Sequence, residues 1–232
     1  MPQRSLEQVP LPDGSTLPLT VAAPECLGVT ASVRGGIVVG PDVRGVTDDV
    51  WRLAAGLAGE GWLTVIPHLF HRDGVDELAS DNADVVRSHV ERLTAASVHA
   101  DTDAALRWLA GRAVPADRIG MAGVGLGGAV ALIVATQRDL GAAVTIGGIG
   151  VLDPVATALP ALVDVAAELR CPWLGIYGQD GEVPEAEVNK LRDAAHSAHV
   201  ATDLVRCCFD TDQSVAREAW GRTLNWFDSH LR

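Results

Sequence analysis

The segment from Asp117 to Ala135, DRIGMAGVGLGGAVALIVA, constrains this chain more than any other stretch. Ile119 to Ala122 is short, apolar and followed by a turn signal, as suits a strand buried on both faces of a parallel sheet. Glycines at 123, 125, 127 and 128 crowd the turn, and an apolar run starting at about Leu126 or Gly127 then has the composition of a buried helix. A strand that turns through glycine into a helix leaves one residue exposed at the top of the sheet. It also aims the first N–H groups of the helix at whatever docks there. The exposed position of this turn is Gly125, which offers backbone only.

The rest of the chain alternates in the same way. Short apolar runs at Gly35–Gly40, Trp62–Pro67, Ala142–Gly147, Pro172–Tyr177 and Thr202–Cys207 read as strands. Helical spacing occupies Thr47–Ala58, Leu78–Leu109 with a break near Ser97-Val98, Val155–Leu169 interrupted by Pro160, Pro184–Ala198 and Ser214–Leu231. Two extended runs around Pro12-Asp13-Gly14-Ser15 make a hairpin at the amino end. This pattern predicts an α/β fold, a mostly parallel doubly wound sheet with helices on both faces. No repeat, linker or low-complexity tract divides it, so residues 1–232 are expected to form one domain. Ligands of such sheets bind outside the carboxyl ends of the strands, which singles out Asp42, Arg44, His68, Gly125, Asp180, Cys207 and Cys208.

Composition narrows the function classes. A net charge of −12 argues against nucleic acid, because phosphate backbones are gripped by clustered Lys and Arg. No run reaches the eighteen or so apolar residues of a membrane span, and the first residues lack an apolar signal region, so a cytoplasmic protein is expected. The four cysteines, Cys26, Cys171, Cys207 and Cys208, show no zinc spacing, and no metal is expected. Adjacent Cys207 and Cys208 read either as a reactive pair or, preferably, as small hydrophobes at a strand end.

In their order and spacing, Gly36–Val46 (GIVVGPDVRGV), Leu57–Pro67 (LAGEGWLTVIP), Gly123–Gly128 (GVGLGG), Tyr177–Pro184 (YGQDGEVP) and Ala219–Phe227 (AWGRTLNWF) resemble the dienelactone hydrolase family of the α/β-hydrolases. The resemblance covers nearly the whole chain. It implies the α/β-hydrolase fold, ester or lactone hydrolysis, a Cys (or Ser), Asp and His triad in that chain order, and no cofactor. The nucleophile slot falls on Gly125, the acid slot on Asp180 and the histidine slot on Cys207. An early Glu that contacts the resting nucleophile falls on Asp42. The two positions that make bonds and move protons have therefore departed. Thiolate chemistry at Cys207 would need a cation, and the expected neighbour Asp180 is an anion.

These residues predict a protein that has lost covalent hydrolysis and binds a small carboxylate or carbonyl ligand in the old pocket. Asp42, Arg44, His68, Cys208 and the main chain of Leu126 are its candidate contacts. Each has a plainer reading: a local ion pair for Asp42 and Arg44, solvated loop residues for His68 and His71. One rival is an active ester or lactone hydrolase using another nucleophile or water. Another is dinucleotide binding through Gly123-x-Gly125-x-x-Gly128, but no acidic residue follows until Asp153, where a ribose partner should end the next strand. An interaction scaffold is a third rival. Trp220 and Trp226 are expected in the core rather than on a partner surface, and homo-oligomerisation is left open.

Overall fold

A computed structural model describes residues 2–24, 33–78, 82–179, 181–207 and 213–231, with the backbone alone for 213–216. Eight strands form one sheet: β1 (Gln3–Pro10), β2 (Thr16–Ala23), β3 (Gly36–Gly40), β4 (Leu63–Pro67), β5 (Ile119–Val124), β6 (Ala142–Ile146), β7 (Trp173–Gly178) and β8 (Thr202–Cys207). Their spatial order is β1-β2-β4-β3-β5-β6-β7-β8. The β1–β2 hairpin joins antiparallel through β2 to β4, and every other pairing is parallel. The central strand of the sequence reading, β5, lies between β3 and β6 as the buried parallel strand its composition requires.

The helices are α1 (Asp48–Gly59), α2 (Ala83–Val90), α3 (Ala95–Ala110), α4 (Leu126–Ala135), α5 (Leu162–Val165), α6 (Glu185–Ala195) and α7 (Gln213–His230). Alternate strand residues feed two cores. Ile37 and Val39 meet α1 and the α7 side with Trp62 and Phe227, while Val38 and Met121 meet the opposite cluster with all of α4. Every residue of α4 is buried, so Leu132, Ile133 and Val134 each contribute about 1.5–3 kcal/mol of burial. Trp220 and Trp226 are half-buried and pack against the cluster under α7, so the expected core position is met in part.

Two helix predictions need correction. The break in 78–109 comes at residues 91–94, not at Ser97-Val98: Thr94 caps α3 and Ser97 completes a reciprocal capping box inside its first turn. Between 155 and 169, only Leu162–Val165 is α-helical, with a short 3-10 turn after it. Pro160 cannot donate to a helical ladder, and the chain before it runs irregularly.

Candidate functional site

Three glycines make the corner after β5 by close approach. A Cβ on Gly123 would stand 2.1 Å from the Gly127 carbonyl carbon, and one on Gly127 would stand 2.3 Å from the Gly40 oxygen. The ends of β3 and β5 and the start of α4 thus touch backbone to backbone. Gly125 differs. Its φ of +56° and ψ of −116° suit glycine and strain other residues, yet its missing Cβ faces open space. Among the described residues beyond its chain neighbours, one atom lies within 4 Å of that Cβ position, Asp42 Oδ1 at 3.8 Å. Gly125 N–H donates to Ile146 O, which holds the corner against the end of β6. Leu126 opens α4, so its N–H has no partner within the helix, as at any helix start that attracts an anion.

Asp42 sits on a tight turn after β3, closed by Asp42 N–H to Gly45 O and Gly45 N–H to Asp42 O. Its carboxylate accepts from Val43 N–H at 2.6 Å, and among the ion pairs of the described residues none joins it to Arg44. Arg44 instead lines a cleft of about 390 Å³ with Val43, Val86, Arg87, Val90 and Val155. Branched aliphatic walls and two guanidinium groups meet in that cleft. A larger cavity, about 580 Å³, opens beside Trp108 and Gly35, at the amino ends of the strands and far from the corner.

His68 is placed elsewhere than expected. It follows β4, two strands and roughly 10 Å from β5. Its Nε2 lies 2.9 Å from Thr20 Oγ1 and its Nδ1 lies 2.8 Å from Asp76 Oδ1. The ring is buried, which pushes its pKa below the ordinary histidine value, with Asp76 pulling the other way. It neither contacts the Gly125 corner nor behaves as a solvated loop residue. His71 is likewise buried, its Nε2 3.3 Å from Asp101 Oδ1. Arg72 clamps the same carboxylate with two hydrogen bonds of 2.7 and 2.8 Å. Asp73 then holds His89 and Arg92 on the next helical stretch. Hydrogen-bonding partners distant in sequence, invisible to any local pattern, decide these positions.

Cys207 ends β8 and is buried in the apolar cluster that contains Ile176, Ala219 and Phe227, which fits the small-hydrophobe reading. Arg206 lies the other way, paired with Glu185 and donating to Gln179 O. Cys208 and Asp180 lie outside the described residues. Beside the acid slot is a cavity of about 150 Å³ lined by Gly147, Tyr177, Gly178, Gly181, Glu182 and Val183. The Tyr177 hydroxyl is fully buried with no hydrogen-bond partner, and burial raises its pKa. Nothing in the sequence singled out Tyr177, Thr20, Asp76 or Asp101. β6 ends at Ile146 ahead of Gly147 and Gly148, so no carboxylate stands where a dinucleotide ribose would need one.

A strand, a glycine corner bent at positive φ and a helix aimed at the rim make an α/β-hydrolase elbow, and the comparisons agree with it. The sequence profile of the Dienelactone hydrolase family matches residues 26–231. The chain belongs to the dienelactone hydrolase family. Its relatives include a "Putative carboxymethylenebutenolidase" of Salmonella typhi, 27% identical over 227 residues, covering 92% of this chain and 83% of that one. One of the same name in Methylorubrum extorquens is 28% identical over 205 residues, covering 82% and 70%. The crystal structure of a "Putative Dienelactone Hydrolase from Klebsiella pneumoniae subsp. pneumoniae MGH 78578" superposes with a TM-score of 0.83 at 26% identity, covering 97% of this chain and 99% of that one. The dienelactone hydrolase fold is thus present end to end. Among the described residues, no helix is long and apolar enough to cross a membrane.

Proposed function

We propose that this member of the dienelactone hydrolase family has lost the covalent route of hydrolysis and binds a small carboxylate or carbonyl compound over the Gly125 corner. One observation carries the reading: among the described residues beyond its chain neighbours, the single atom within 4 Å of the Cβ position of Gly125 is the carboxylate oxygen Asp42 Oδ1. Covalent acyl transfer needs an attacking atom with a base in hydrogen-bond reach. Without that pair, an oxyanion corner and binding supply roughly 10³–10⁴-fold acceleration over water, far below a committed hydrolase. The ligand's polar end belongs at the Leu126 N–H. Its carboxylate belongs in the cleft lined by Arg44 and Arg87, whose valines take the apolar body. His68 has no part in this contact set. Asp180 keeps the acid slot assigned by resemblance, and Cys208 stays a candidate contact.

The test is a thermal-shift titration with short aliphatic and aromatic carboxylates. Saturation at 100 times the dissociation constant should stabilise the fold by about 2.7 kcal/mol, and Arg44→Ala or Arg87→Ala should weaken that shift. No shift across the series would overturn the reading.

A second reading rests on the same Asp42 oxygen. A water seated over Gly125 could pass its proton to Asp42 while attacking a bound ester, giving hydrolysis without an acyl-enzyme. Sustained turnover of nitrophenyl esters above roughly 1 s⁻¹ would establish it and displace the first.

A further inference from the structure

A hydroxyl and an imidazole occur together elsewhere on the rim. Thr20 in β2, His68 after β4 and Asp76 form a continuous chain, with Thr20 Oγ1 2.9 Å from His68 Nε2 and His68 Nδ1 2.8 Å from Asp76 Oδ1. Thr20 is 2% and His68 5% exposed, and both line a cleft of about 410 Å³ with Arg4, Ser5, Val46, Asp76 and Glu77. That volume lies within the range of small-molecule sites. Asp76 Oδ1 is an acceptor, so Nδ1 carries the proton. Burial keeps the ring neutral, which leaves Nε2 to accept from the Thr20 hydroxyl. This is the order of donors in a hydroxyl nucleophile held by a base and an orienting acid.

We propose that Thr20, His68 and Asp76 form a second reactive centre, separate from the Gly125 corner, at which Thr20 accepts an acyl group from a small neutral activated ester. The Thr20 oxygen adds to the acyl carbon as its proton passes to His68 Nε2. The bond from that carbon to the leaving oxygen then breaks, and the leaving alcohol takes the proton from His68. Water returns Thr20 by the same route in reverse. Asp76 and Glu77 at the mouth outweigh the charge of Arg4, so an anionic substrate gains nothing there. The ladders of β2 with β1 and β4 engage the backbone on either side of Thr20. The centre therefore acylates once and deacylates slowly, which sets it apart from a turnover enzyme.

Peptide mapping by mass spectrometry after exposure of the whole protein to p-nitrophenyl acetate tests this. An acetyl group on Thr20 is expected, lost in Thr20→Val and retained in Thr20→Ser. His68→Gln should slow its appearance about 10²-fold or more, the scale of general-base catalysis. Should Thr20→Val fail to fold, Thr20→Ser and His68→Gln still decide. Absence of acetyl at Thr20 in the folded wild type, or an unchanged rate in His68→Gln, would overturn the proposal. The label sits on β2 and reports a single acylation, so neither outcome bears on ligand binding or turnover at Gly125.

Discussion

The carboxyl rim has two corners, and different parts of the chain build them. At the β5–α4 corner the structure is backbone: Gly40, Gly123 and Gly127 meet at distances that admit no side chain. At the loop after β4 the structure is side chain: His68, His71, Arg72 and Asp73 each hold a partner eight to thirty residues away. A backbone corner persists when its exposed residue changes, because what fixes it lies below that residue. A side-chain corner depends on each pair. In a hydrolase family this lets the elbow keep its shape with a glycine at its exposed position.

Breaking the backbone corner should have the largest effect. Gly123→Ala puts a methyl 2.1 Å from main-chain carbon that has nowhere to move, and a loss of more than about 4 kcal/mol is expected in urea denaturation. Gly125→Ala, two residues on, meets no atom closer than 3.8 Å and should cost only the strain of positive φ, about 1–3 kcal/mol. Equal losses at the two positions would show that the corner is not held by close approach.

The side-chain corner breaks at Asp101. Its carboxylate is 1% exposed and neutralises Arg72 while accepting from His71. Asp101→Ala leaves Arg72 with only Asp13, at 4.0 Å, and because Arg72 is one-third exposed the cost should fall at the low end for a broken buried pair, about 3 kcal/mol. The same unfolding measurement checks it, and a loss under 1 kcal/mol would mean that the loop is held by something other than this clamp.

The difference between the corners also decides what could be read from sequence. Strand and helix order, the glycine turn and the position of Gly125 were legible, since local composition and periodicity encode them. Thr47 holds the cap of α1, which was legible from local composition as Thr47 or Asp48. Asp101 beneath Arg72, or Thr20 beside His68, was not: those pairs are 29 and 48 residues apart, and only the packing of β2 on β4 and of α3 on the loop brings them together. Taking His68 for a ligand contact at Gly125 followed from a sound rule, that carboxyl strand ends carry function. The rule does not say which corner a side chain serves. The extent of α5 was misread because helical spacing alone does not overcome an interior proline.

The smallest expected effect is a pH dependence that belongs to the side-chain corner. Burial lowers the pKa of His68 below its ordinary 6.5, and burial together with Arg138 lowers that of His99. The folded state therefore binds fewer protons than the unfolded chain as pH falls through about 6.5 toward the depressed values. Stability should be full above that window and decline across it as both rings are forced to take up charge. His68→Gln should flatten part of the decline and leave the share of His99, while Gly125→Ala should lower stability without changing the slope. The comparison is made by urea midpoints at pH 7.5, 6.5 and 5.5. A wild-type curve flat across this window, or a slope that His68→Gln leaves intact, would show that the relay is not shielded from water. The second corner would then be a surface hydrogen bond and not a built one.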